Sequence, residues 1–402
     1  MKKTKSLSLA TAAAAALMMS ADASAAYTMS KKIGDVDTKL DIYGFAQLEA
    51  RGGDGVIADN QDASVKFGAQ RVRLGWNYTA GKVRGKVFLD FNQDASINAV
   101  NGDVGMPKMV KDAFVSYVQD DALVLKVGLI KMPHGMSFTI PGWNLDIVER
   151  GFDKALAMER NMGIMLSGRD MFFGNNGKVN GFEMGHERPW KGFGYDIMIG
   201  NQAARSGAVT NAKPGDANSY VGRLMFDWTE LLHTEVSYAV SEKAGGIEGH
   251  KQADGTLVTA DTEDYKSLNF GVDSHFLDGA NVKVEYYDSK NIKGVKGWDE
   301  TTMALTGTYA INEYVEPSFK HIQGTSEKGG VETKLGNTYV GVNLYISPFD
   351  NKMDRGSKRK RNAHRMMFDY VIASGDTDGA KVWNGLKGYK DDAWIFQYQY
   401  KF

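Results

Sequence analysis

A chain of 402 residues with 48 Lys and Arg against 49 Asp and Glu has no charge excess that points to nucleic acid as a partner. It contains no cysteine, which excludes a disulfide framework, a thiol nucleophile and a zinc-thiolate site. With 46 Gly, 7 Pro and 44 aromatic residues, it suits many strands joined by loops better than helices.

In chain order, Lys2, Lys3 and Lys5 form a positive start, Leu7 to Met19 a short apolar stretch, and Ala23-Ser24-Ala25 a small-x-small cleavage site. This pattern predicts a secretory signal peptide over 1–25, with the chain cut after Ala25. Cleavage leaves 45 basic and 48 acidic residues, a net charge of about −3. The remainder has no apolar run of 18 residues, so no transmembrane helix is expected. The mean hydropathy of −0.36 resembles that of a soluble protein. A membrane barrel scores the same, because only alternate residues meet lipid.

Periodicity separates the two. Residues 26–38 read as a short lead-in to a barrel over 39–402. Period-two alternation predicts strands over 39–50, 65–79, 82–92, 109–119, 122–130, 160–187 (irregular), 192–201 and 218–229. It continues over 232–241, 265–277, 280–290, 300–310, 313–323, 336–347, 363–375 and 391–402. The last strand is the clearest: Trp394, Phe396, Tyr398, Tyr400 and Phe402 alternate with Ile395, Gln397, Gln399 and Lys401. Upstream, Val83, Val87, Leu89 and Phe91 oppose Lys82, Arg84, Lys86, Asp90 and Asn92. Short connections alternate with long ones, as periplasmic turns alternate with outer loops. The expected fold is therefore all-β: a transmembrane antiparallel barrel of 16 strands, closed because lipid cannot satisfy a free strand edge. An extra strand within 170–187 would raise the number to 18. The connection 348–362 is long for a periplasmic turn, and a plug domain before the first strand is not expected.

Parity then assigns the charges. Arg71 and Arg73 on the second strand and Arg84 and Lys86 on the third point into the lumen, since the opposite register would place four cations in lipid at several kcal/mol in all. Guanidinium forks match oxyanions, so these four form a candidate cationic patch, the alternative being a wall paired with Asp90 and Asp112. Arg223 faces the lumen by the same parity. Lys126 and Arg160 flank the long segment 131–159, which carries Lys131, His134, Arg150 and Lys154 beside Asp146, Glu149 and Asp153. Its Met132, Met136, Phe138, Ile140 and Trp143 are expected to pack the segment down rather than meet solute. A dense basic run of Arg355, Lys358, Arg359, Lys360 and Arg361, continued by Arg365, falls at the periplasmic mouth and reads as an anion-collecting vestibule, a docking patch or a solvated turn.

No catalytic arrangement stands out. The seven histidines are scattered outside any HExxH spacing, and there is no G-x-S-x-G elbow, P-loop or calcium loop. Neither a cofactor nor a metal nor an enzymatic activity is expected.

The segments KVGLIKMPHGMS (126–137), LDIVERG (145–151) and GIMLSG (163–168) resemble the phosphate-selective porin O/P family, in the spacing of Lys131, Pro133 and Gly135, then Glu149-Arg150, then Gly163 to Gly168. Tyr195 to Asn201 after Trp190 and Tyr339 to Pro348 before a final hairpin are similar as well. The resemblance implies a sixteen-stranded barrel, trimeric, whose third long loop folds inward as a constriction over 131–159, with arginine and lysine along the pore. The expected function is passive diffusion of small hydrophilic solutes across the outer membrane, with anions such as phosphate or other oxyanions preferred. The contacts expected are these solutes, membrane lipid and lipopolysaccharide, and two further copies of the chain. A cation-preferring or non-selective porin is the first alternative, and a structural or partner-binding barrel the second.

Overall fold

The computed structural model describes residues 27–53, 65–93, 107–171, 191–201, 217–229, 231–242, 250–251, 257–258, 263–275, 277–346, 364–376 and 388–401. The expected signal peptide, the basic run 355–361 and Phe402 lie outside them.

The strands are β1 (Tyr27–Ile33), β2 (Val36–Gly53), β3 (Lys66–Ala80), β4 (Val83–Asp90), β5 (Val110–Asp120), β6 (Leu123–Lys131), β7 (Arg160–Met171), β8 (Lys191–Asn201), β9 (Asn218–Trp228) and β10 (Leu232–Ser241). There follow β11 (His250–Lys251), β12 (Leu257–Val258), β13 (Tyr265–Ser274), β14 (Ala280–Lys290), β15 (Trp298–Tyr309), β16 (Val315–Lys328), β17 (Val331–Tyr345), β18 (His364–Gly375) and β19 (Ala393–Lys401). Sixteen of them, β2 to β10 and β13 to β19, pair antiparallel with their neighbours in order. The ring closes where β19 pairs with β2, from Ala393 opposite Gly53 to Lys401 opposite Phe45. The short β11 and β12 pair only with each other.

The alternation in the sequence is realised as an inside-out wall. Along β9, Ser219, Val221, Arg223, Met225 and Asp227 are buried, while Tyr220, Leu224 and Trp228 are exposed. Leu224 keeps 62% of its surface open. A soluble sheet would reverse this pattern; in lipid the outward apolar band is the stable arrangement, and closure leaves the ring no free strand edge.

Two features depart from the sequence reading. Where only a lead-in was expected, β1 pairs with β2 from Tyr27 opposite Ile42 to Ile33 opposite Val36. It follows β19 along the same edge of β2, covering the part of that strand which outruns β19. β7 is described over Arg160–Met171, and the remainder of the expected irregular strand, 172–187, lies outside the described residues; the ring closes with sixteen strands, so the eighteen-stranded alternative does not form. β16 and β17 are longer than their alternation indicated and meet at Gly329-Gly330. Both glycines have positive φ, 59° and 75°, as a two-residue turn matched to strand twist requires.

The connection from β6 to β7 fills part of the lumen. It contains one helical turn, α1 (Met136–Thr139), and 3-10 turns at Gly142–Asn144 and Phe152–Leu156. Its Met132, Phe138, Leu156 and Met158 pack with Met165, Met198, Val221, Tyr265 and Tyr287 of the inner wall. Farther along, Ile147, Val148 and Phe152 pack with Ile322, Tyr339, Met367, Val371 and Ile395, and Trp143 packs with Phe45 and Phe88. Each such side chain contributes about 1.5–3 kcal/mol by leaving water. The apolar residues on the lumen side of this barrel therefore serve to seat the loop.

Candidate constriction site

Wall and loop enclose a cavity of about 290 Å3 between β3–β5 on one side and the inserted loop on the other. Eight cationic side chains line it, Arg71, Arg73, Lys86, Lys111, Lys131, Arg150, Lys154 and Arg160, against three carboxylates, Asp90, Asp112 and Glu159. Arg73 pairs with Asp90 at 2.9 Å, and Asp112 is shared by Arg160 at 2.9 Å and Lys86 at 3.4 Å. Lys154 pairs with Glu159.

Arg71, Lys111 and Arg150 have no carboxylate within ion-pair distance among the described residues. Neutral acceptors hold two of them. Arg71 donates to the Gln47 amide oxygen at 2.6 Å and to Gln70, while Arg150 donates to the carbonyls of Ser137, at 3.0 Å, and Ile140 at the end of α1. Burial, and after it the nearby Arg73 charge, lower the Arg150 pKa to about 10, so it stays cationic at neutral pH. Such an arrangement orders guanidinium groups without cancelling their charge, leaving a positive field for a permeant anion.

Two β-bulges set the level of this site. The register of β2 against β3 shifts so that Gln70 has no partner, and that of β4 against β5 shifts so that Lys111 has none. A bulge turns an extra residue to the same face. Gln70 with Arg71, and Lys111 with Asp112, therefore line the cavity as consecutive pairs. Strict period-two reading misses Lys111 for this reason; the only trace in the sequence is the charged pair Lys111-Asp112 at the start of a strand.

The loop sorts its own charges. Lys131, Arg150 and Lys154 line the cavity. Asp146 turns away to Lys283, Glu149 lies 3.2 Å from the Tyr339 hydroxyl and 4.0 Å from Arg51, and Asp153 lies 3.5 Å from Lys320. The mixed signs read from the sequence thus largely separate in space, Asp146, Glu149 and Asp153 against the far wall and the bases toward the opening, where Glu159 stays beside Lys154. The backbone is fastened to the same wall: Gln47 and Gln399 donate to Gly142 and Trp143, Asn343 donates to Asp146, and Asp369 and Glu285 accept from the amides of Val148 and Ser137.

Of the nine cations expected along the pore, the cavity gathers Arg71, Arg73, Lys86, Lys131, Arg150 and Arg160. Arg84 shares the inward face of β4 with Lys86 but stands outside the cavity lining. Lys126 is buried with its ammonium 5.8 Å from the centre of the Phe114 ring. Arg223 is committed to Asp196 at 2.6 Å and Glu235 at 3.4 Å, in a buried wall network with Arg169 and His233. Arg365 does not belong with a periplasmic basic turn: it is buried in β18 and donates to Leu145 O at 2.7 Å and Trp143 O at 3.3 Å. Among the described residues, no group of three or more His, Asp or Glu is arranged to hold a metal ion.

A closed sixteen-stranded barrel with an apolar exterior and a lumen narrowed by a folded-in loop defines a porin, a passive channel of the bacterial outer membrane. A family model, phosphate-selective porin O and P, matches residues 42–249, just over half of the chain, and the chain belongs to that family. Solved structures agree in fold. OmpT of Vibrio cholerae in its trimer form has a TM-score of 0.56 at 12% identity, over 91% of this chain and 99% of that one. An anion-selective porin from Comamonas acidovorans has a TM-score of 0.57 at 11% identity, over 91% and 100%. A Salmonella typhi OmpF complex with daunomycin has a TM-score of 0.59 at 12% identity, over 91% and 98%. No curated protein sequence matches the chain significantly.

Proposed function

We propose that this porin prefers anions, passing phosphate and other small oxyanions by electrodiffusion, and that it works as a homotrimer. One observation carries the reading: a single cavity between loop and wall is lined by eight cations and three carboxylates, an excess of five positive charges. Arg71, Lys111 and Arg150 are the residues offered to the anion, because among the described residues no carboxylate lies within ion-pair distance of them. Three of the four loop acids, Asp146, Glu149 and Asp153, are docked on the far wall, and the fourth, Glu159, is paired with Lys154. The family name and the anion-selective Comamonas acidovorans structure support the same preference, and the OmpT trimer form supports the assembly.

The test is the reversal potential of the purified protein in a planar bilayer under a KCl gradient, repeated with added phosphate. Chloride should permeate better than potassium, and millimolar phosphate should depress the chloride current. A unit charge 4 Å away contributes about 1 kcal/mol even in a water-like dielectric, about fivefold in a binding constant. Arg71→Ala and Lys111→Ala should each weaken the phosphate block by about that factor. A pore that favours potassium, or a phosphate block that neither substitution alters, removes the reading. An unheated electrophoretic band or a detergent-solution mass of one protomer removes the trimer.

A further inference from the structure

We propose that Phe138 is a positioning residue that sets the charge selectivity of the pore, by holding Lys131, Arg150 and Arg160 against its ring. The inference rests on the reading that the pore prefers anions. The Lys131 ammonium lies 4.7 Å from the ring centre, and the guanidinium carbons of Arg150 and Arg160 lie 5.8 and 5.9 Å from it. All three cations line the cavity. Brought this close, they repel one another, and something must offset that repulsion.

A carboxylate would do so at the expense of one positive charge, as Asp112 does for Arg160. The face of an aromatic ring attracts cations through its quadrupole and carries no net charge. It therefore adds attraction for all three, Arg160 included beside its Asp112 partner, without itself cancelling any positive charge. The ring cannot swing away, because it is 2% exposed and wedged among Met132, Leu156 and Met158 of the loop and the wall residues behind them. Across the cavity Phe88 has the same relation to Arg73 and Lys86, each 5.6 Å from its ring centre. Two phenylalanines, one on the loop and one on the wall, thus lie against five of the eight lining cations, three of which, Arg73, Lys86 and Arg160, are held by Asp90 or Asp112 as well.

Stepwise fluorination of the ring tests this, since it drains the quadrupole with little change in shape. Full-length protein carrying mono-, di- and trifluorophenylalanine at 138, together with Phe138→Leu, is measured in two assays. These are the chloride-to-potassium permeability ratio from the reversal potential, and the exclusion limit for neutral sugars from liposome swelling. The ratio should fall step by step, by about threefold at three fluorines, with the sugar limit unchanged across the fluorinated series; Phe138→Leu should fall at least as far. A ratio that stays constant along the series, or at Leu, overturns the inference, and so does a sugar limit that rises in step with the ratio, which would make the ring mere packing. A wild-type pore without anion preference overturns the functional reading and this inference together, whereas an anion-preferring wild type with a flat series overturns this inference alone.

Discussion

The Arg71 side chain lies across Gly142 of the inserted loop so closely that a Cβ there would fall 3.1 Å from its Nε and 3.2 Å from its Cδ. Gln47 joins the two, donating to Gly142 O at 3.0 Å and accepting from Arg71 at 2.6 Å. The loop and the arginine are thus set by one contact. Gly142→Ala should push the guanidinium aside by a few tenths of an ångström, at a cost on the order of 1 kcal/mol. Single-channel conductance and phosphate block should both change. In the double variant with Arg71→Ala the clashing partner is gone, so adding Gly142→Ala should change nothing further. Strict additivity of the two effects would contradict the contact.

Arg365 is the second point of attachment, reaching from β18 to the Leu145 and Trp143 carbonyls. Hydrogen bonds from a charged donor contribute about 1.5–3 kcal/mol each. Arg365→Met keeps most of the volume and removes both, leaving the Leu145 carbonyl without its donor and the Trp143 carbonyl with Gln399 alone. The loop should loosen, and larger neutral sugars should enter in a liposome-swelling assay. An unchanged exclusion limit would show that the apolar contacts of Ile147, Val148 and Phe152 suffice to hold it.

How much of this could be read beforehand differs by element. The wall was legible because lipid enforces period two: a residue such as Leu224 has nowhere to go but outward, and Arg223 nowhere but inward. Inwardness, however, is not the same as lining the eyelet. Arg223 and Arg71 have the same parity and opposite fates, since Asp196 and Glu235 on neighbouring strands neutralise Arg223. Those partners lie 27 and 12 residues away, and only strand register brings them together. Lys111 was hidden by its bulge, which breaks the rule that served elsewhere. The separation of acids from bases within the loop was hidden as well. It follows from the placement of Lys283 and Lys320 on strands more than a hundred residues downstream.

Lys320 tests that separation. Its ammonium donates to Arg150 O and lies 3.5 Å from Asp153, and both side chains are buried. Removing one member of a buried pair strands the other, at about 3–5 kcal/mol. Lys320→Met should expose the loop to trypsin in the folded, membrane-inserted barrel. Lys320→Met/Asp153→Asn, which removes both charges, should restore most of the protection. If the single variant is as resistant as wild type, the ion pair does not hold the acidic side of the loop.

His134 links the loop to pH. It is wholly buried, its Nδ1 accepts the Met158 amide at 3.2 Å, and burial lowers its pKa from 6.5 to about 4. Above pH 6.5 the imidazole is neutral whether the loop is seated or released, and its contribution to seating is complete. Between pH 6.5 and 4 the released loop binds a proton that the seated loop does not, so seating weakens as the pH falls, by about 3 kcal/mol in all. Below pH 4 both forms are protonated and the dependence levels off. Hydrogen exchange at the Met158 amide, corrected for the intrinsic rate, should therefore quicken from pH 7 to 4.5 in the wild type. In His134→Gln an amide oxygen can accept the same hydrogen bond without titrating, and protection should hold steady over that range. If the two proteins lose protection in parallel, the pH sensitivity belongs to another group, and His134 merely fills space behind the loop.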